Sequence, residues 1–158
     1  MRGKLMLVGN SAFGDDFFSE CARGDQNAVA ILRVFRDFAH VIDDIIDGDN
    51  EISQERLAQT MMSMIAQCLI NPWAKKHGIS LVPIITNSLR SWVDADVWMR
   101  SKDKKKAIAA DVFKSYYHEI FFQVAFICGG WDHMKNMTEK YRHVDWDNKY
   151  FKEEEDVA

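Results

Sequence analysis

The sequence predicts an all-α fold, a single-domain bundle of about five to six helices, on three observations. Prolines are scarce: the chain holds 2, Pro72 and Pro83. Most of its 8 glycines stand where a periodic segment ends. Between those points apolar residues recur at the spacing of a helical face, not at the alternation of a strand. With 158 residues and 47% apolar content, the chain has enough material for one sizeable core.

Each element follows from local chemistry. Leu5 to Val8 reads as a short extended start and Asp15 to Cys21 as a brief helical turn. The Arg23-Gly24-Asp25 break opens a helix that runs to about Asp47, where Gly48 ends it. Ser53 is placed to cap a helix reaching about Ile70, which must stop at Asn71-Pro72 because proline excludes helical geometry in the residue before it. A short helix to Gly78 follows. Pro83 suits the first turn of a helix to roughly Arg100. From about Asp103 to Cys128 the pattern predicts the longest helix. Gly129-Gly130 stops it, and Asp132 starts a last helix to about Arg142. Residues 1–143 form the expected helical domain, and residues 144–158, with the run Glu153 to Asp156, an acidic disordered tail.

Composition narrows the functional classes. A net charge of −4 and a pI near 5.7 leave no global basic field for a nucleic-acid backbone or an anionic membrane. The apolar stretch Leu5 to Val8 is too short for a signal-peptide core or a membrane span, so a cytoplasmic location is expected. Cys21, Cys68 and Cys128 lie far apart among apolar neighbours without zinc spacing, which predicts reduced, buried thiols. The methionines, Met61, Met62 and Met64 among them, are expected to fill gaps in the core.

The most conspicuous motif is Asp43-Asp44-Ile45-Ile46-Asp47 at the end of the first long helix. Asp43 and Asp47 stack one turn apart with Asp44 beside them, so their carboxylates can converge on a hard divalent cation. Magnesium, or manganese, prefers such oxygen ligands. The same wheel also allows a plain solvated face, since Arg33, Arg36, Asp37 and His40 share the arc. Against that stands the helix dipole, whose negative end disfavours carboxylates in the last turn.

A second cluster, Asp111, Ser115, His118 and Glu119, falls on one side of the predicted longest helix. That helix is apolar all round from Ile120 to Ile127 and therefore reads as buried. Buried carboxylates need a cation or hydrogen-bond partners. Either a metal supplies the charge, or Glu119 pairs with an arginine such as Arg33, Arg36 or Arg90. A weaker group, Asn87, Arg90, Ser91 and Asp94, shares a face after Pro83, and its arginine can neutralise a phosphate or a carboxylate.

Two of these motifs carry a resemblance. Asp43-Asp44-x-x-Asp47 resembles the aspartate-rich motif of class I isoprenoid (terpenoid) synthases, and Asp111-x-x-x-Ser115-x-x-x-Glu119 is similar in spacing to their second metal motif. The resemblance implies magnesium held on a substrate diphosphate by Asp43, Asp47, Asp111, Ser115 and Glu119, in an isoprenoid-synthase-like bundle. The segments Asn71-Pro72, Trp92-x-Asp94, Asp111-Val112 to Glu119 and Val124-Ala125 to Gly129-Gly130-Trp131 are similar to small uncharacterised helical proteins of tailed bacteriophages. That likeness implies the cytosol of a host cell and no particular activity. In size the chain also resembles all-α nucleotide pyrophosphohydrolases, which bind magnesium and nucleotide phosphates through paired acidic motifs that characteristically use glutamates.

The resulting expectation is a magnesium-dependent helical protein that binds or processes a diphosphate-containing ligand. Asp43, Asp44, Asp47, Asp111, Ser115 and Glu119 are the candidate metal ligands, Arg36 and Arg90 the phosphate-binding groups, and His40 and His118 the candidate catalytic groups. The rival expectation is a non-catalytic phage accessory protein whose carboxylates form a charged interface, with a second copy of the chain or a phage or host protein as partner. Gly9 to Asp15 has the glycine spacing of a phosphate-binding loop, but Asp15 stands where the lysine must meet phosphate.

Overall fold

The computed structural model describes residues 13–48 and 50–142, and these are helical throughout apart from short connections. The predicted extended start, the acidic tail and His143 lie outside the described residues. In order come α1 (Asp15–Cys21), α2 (Gln26–Asp47), α3 (Gln54–Ile70), α4 (Pro72–His77), α5 (Val82–Met99), α6 (Lys104–Lys114) and α7 (Glu119–Tyr141), with 3₁₀ turns at Gly78–Leu81 and Ser115–His118. Five of the helices have eleven residues or more, so the all-α bundle expected from the pattern is the fold.

Helix ends are set by caps. Arg23 and Gly24 take left-handed backbone angles, φ 50° and 79°, that turn the chain after α1. Asp25 Oδ1 then accepts the amides of Asn27 (2.9 Å) and Ala28 (3.2 Å) to start α2. Gly48, at φ 66°, ends α2 with its N–H on the Asp44 carbonyl. Ser53 Oγ accepts the Arg56 amide at 3.1 Å. Asn71 closes α3 and opens α4 at once: its Oδ1 accepts from Trp73 N (2.9 Å) and Ala74 N (3.1 Å), while its Nδ2 donates to the Asn27 carbonyl (2.9 Å) and to Gln67 Oε1 (2.8 Å). One buried amide therefore ties the α3–α4 corner to the start of α2. Pro83 stands in the first turn of α5, and Asp103 caps α6 through the Lys105 amide at 2.9 Å.

The region expected to be the longest helix is divided. α6 ends at Lys114, and Ser115–His118 winds as a 3₁₀ turn before α7 begins at Glu119. The expected break at the glycine pair occurs inside α7, where Gly130 leaves helical geometry at φ 77°, ψ −169°.

The core fills the space between α1, the first half of α2, α4 and α7. Phe13, Phe17, Phe18, Leu32, Phe121 and Phe122 dominate it. Phe17 is the hub, with ring centroids 4.7 Å from Phe13, 4.6 Å from Tyr141 and 5.8 Å from Phe121. α2 and α3 pack as one helical hairpin and α5 and α6 as another. The second is locked by Trp98 against Phe113, at 5.2 Å between centroids, and by Ser88 Oγ donating to the Tyr116 carbonyl at 3.1 Å.

Two expectations about burial are corrected. Cys21 is buried and its thiol is pushed up by that burial, but Cys68 is exposed on α3. Met61 and Met62 are also exposed, because α3 turns Thr60 and Met64 toward the bundle and those two methionines away from it. No helix of the described residues is long and apolar enough to cross a membrane.

Candidate functional site

Beside the core, on the far side of Phe121, α2, α5, α6 and α7 border a partly open cavity of about 70 Å³. Its walls are apolar, with Phe35, Phe38, Ile85, Leu89, Trp92 and Ile120 in the lining. Two charged side chains interrupt them. Asp43, one turn before the end of α2, and Lys114, the last residue of α6, both line the cavity, and Lys114 Nζ lies 3.7 Å from Asp43 Oδ1. Their side chains are 15% and 5% exposed.

Such a pair is an unusual thing to bury. Removing two charges from water costs several kcal/mol per ion, about what their attraction returns, so folding stability alone does not select it over two apolar side chains. Breaking one partner is a different matter. Lys114→Met leaves Asp43 among apolar walls without the lysine, and is expected to lower unfolding free energy by about 1–3 kcal/mol. The double variant Asp43→Asn/Lys114→Met is expected to recover most of that loss. Urea denaturation of the two single variants and the double variant gives the coupling directly.

Of the other residues singled out in the sequence, those with described side chains are placed elsewhere. Asp44 accepts the Asn50 side-chain amide at 2.6 Å, which closes the α2–α3 connection, so neighbouring aspartates serve different partners. The side chains of Asp47 and Asp111 lie outside the described residues. Ser115 Oγ donates to the Val112 carbonyl at 2.7 Å within its own turn. Glu119 does take an arginine, but it is Arg142, whose Nη2 donates to both carboxylate oxygens at 2.6 and 2.7 Å while the guanidinium covers the Phe122 ring. Arg33, Arg36 and Arg90, the partners weighed from the sequence, are engaged by Asp15, Asp37 and Asp94 respectively. Arg36 also lies over the Phe18 ring, and Arg90 is exposed on its helix. Neither arginine lines the cavity.

The rotation of Glu119 has a simple cause. A 3₁₀ turn advances ~120° per residue against ~100° in an α-helix, so four such residues rotate the next helix by roughly 80°. Positions i and i+8 that would share a side of a continuous helix part company. Among the described residues, no group of three or more histidine, cysteine, aspartate and glutamate side chains is placed to hold a metal ion.

The two histidines also stand apart from the cavity lining. His118 is buried in the aromatic core, stacked on Phe13 with centroids 4.3 Å apart and 4.1 Å from Tyr117. Burial pushes its pKa down to about 3, so the ring is neutral near pH 7. His40 is half-buried, and burial with the nearby Arg36 charge lowers its pKa.

Lys114 is the residue that sequence reasoning passed over. Its signal was a lysine in phase with Ala107, Ala110 and Tyr117, at i, i+3, i+7 and i+10, where the inward face of α6 continues into the turn. Comparison of the chain with protein-family models, with curated proteins and with solved structures found no match in any of the three.

Proposed function

We propose that this protein binds, in the Asp43–Lys114 cavity, a compact ligand that joins a short apolar body to an anionic head group. The observation that supports the reading is the 3.7 Å approach of Lys114 Nζ to Asp43 inside walls that, Ser88 apart, are otherwise aromatic and aliphatic. Ligand sites are typically of this kind, apolar with a few convergent polar groups. A lysine at the end of an apolar slot is a point charge for a phosphate or a carboxylate, which would take the place of Asp43 as its partner. The volume, about 70 Å³, is well under the ~150 Å³ that accommodates benzene, which favours a short chain as the body that enters it.

The magnesium and diphosphate expectation is the more specific form of the same proposal. Of the candidate metal ligands with described side chains, Asp43 lines the cavity, whereas Asp44, Ser115 and Glu119 are held by Asn50, Val112 and Arg142. Lys114 in that setting takes the neutralising role that a metal ion would otherwise fill. Hydrolysis or transfer of the head group would add a reaction to the binding.

Thermal melting tests both forms. A short-chain alkyl phosphate or carboxylate at about 100 times its Kd is expected to stabilise the fold by about 2.7 kcal/mol without added metal. Lys114→Met should abolish the shift. Stabilisation that requires magnesium and survives Lys114→Met would favour the metal-bound diphosphate form, and no shift with any of these ligands, with or without magnesium, would remove the reading altogether.

A further inference from the structure

α3 is built inside out. Its inward side carries Thr60, Leu57, Met64 and Gln67, of which Thr60 alone is buried. Its outward side carries Ala58, Met62, Ile65 and Leu69, and the last three are 65%, 49% and 66% exposed. These four recur at spacings of 4, 3 and 4 residues and fall within an arc of roughly 60°. That is the narrow seam of a helix paired with another helix, not the broad stripe of one lying on a globular core. Met61, 48% exposed, widens it on one side.

Charge at the two ends of the seam selects the partner. Glu51 and Glu55 stand exposed at its N-terminal end, and Lys75 and Lys76 stand exposed on α4, just beyond its C-terminal end. Among the described residues none of these four belongs to an ion pair within the chain. We infer that a second copy of this chain covers the face, with the two α3 helices antiparallel about a two-fold axis between Met62 and Ile65. In that arrangement Met62 of one copy meets Ile65 of the other, and Ala58 meets Leu69. Every position of the seam thus faces another position of the seam, as a two-fold interface requires. The same pairing carries the acidic end of each copy to the basic end of its partner. A parallel pairing would set glutamates against glutamates and lysines against lysines.

The seam is already exposed in the single chain, so polar substitutions there leave the fold intact. Light scattering coupled to size exclusion, over a range of protein concentrations, is expected to give twice the 18.3 kDa chain mass for the wild type. Ile65→Asp should give the chain mass alone with an unchanged circular dichroism spectrum. Reversal of one end, Glu51→Lys/Glu55→Lys or Lys75→Glu/Lys76→Glu, should raise the dimer Kd roughly tenfold in each case. Mixing the two reversed proteins should restore wild-type affinity, because each then presents the charge the other lacks. A wild type that stays monomeric up to millimolar concentration overturns the inference. So does a dimer indifferent to Ile65→Asp, and charge reversals that each dimerise as well as the wild type overturn the antiparallel arrangement.

Discussion

Phe17→Ala is expected to lower the unfolding free energy by about 3–5 kcal/mol, a large share of the ~5–15 kcal/mol that holds a typical domain folded. The ring is 1% exposed and sits where α1 meets α7. It makes edge contacts with Phe13, Phe121, Phe122 and Tyr141. Such aromatic pairs add about 0.5–1.5 kcal/mol beyond the burial of their area. α1 has only 7 residues and no side chain caps its start, so the rings, with the exposed ion pairs Asp15–Arg33 and Glu20–Lys140, are what hold it in place. A fall in the urea midpoint at constant slope would register a loss of packing. Phe17→Leu, which keeps most of the volume, should lose far less.

Acid is expected to destabilise the fold through His118 well before the carboxylates titrate. In the unfolded chain this histidine takes up a proton at about pH 6.5. In the folded chain burial holds its pKa down at about 3. Between those values the unfolded state binds a proton that the folded state refuses, so stability is complete above about pH 6.5 and declines as pH falls. The slope approaches 1.4 kcal/mol per pH unit, or roughly 2.7 kcal/mol by pH 4.5. His40, lowered in the same direction by its burial, adds to the trend. The carboxyls of Glu20, paired with Lys140, and Asp15, paired with Arg33, are held below their ordinary values and respond only at lower pH. Denaturation curves for the wild type and His118→Gln between pH 7 and 4.5 isolate the effect, since the variant should show a much shallower decline.

What was legible in the sequence was what local chemistry decides. Asp25, Gly48, Ser53 and Asn71-Pro72 mark helix ends because a cap needs only its own neighbours, and each lies at the expected boundary. The division after Lys114 carried no such mark. Ser115-Tyr-Tyr-His118 contains neither glycine nor proline, and its tight winding coincides with the stacking of His118 on Phe13, a partner that only the tertiary fold brings near. That one change of winding separated Glu119 from the side it was assigned to.

The candidate site was legible in half. Asp43 stood out as one of three clustered carboxylates, and it lines the cavity. Its counter-charge there is supplied by a lysine 71 positions later, for which adjacency in sequence offers no cue. The outward face of α3 misled for a related reason. Met62, Ile65 and Leu69 have the pattern of buried residues, and a pattern states that a face seeks cover without stating which molecule provides it.

Phe121 gives the cavity a property of its own. The ring belongs at once to the core cluster and to the cavity lining, so the two share a wall one side chain thick. A wall held from behind by Phe13, Phe17 and Phe18 is already packed and would not need to be ordered by a ligand. A guest of matching shape would therefore spend little of its interaction energy on immobilising the host, and even a small ligand could be held selectively.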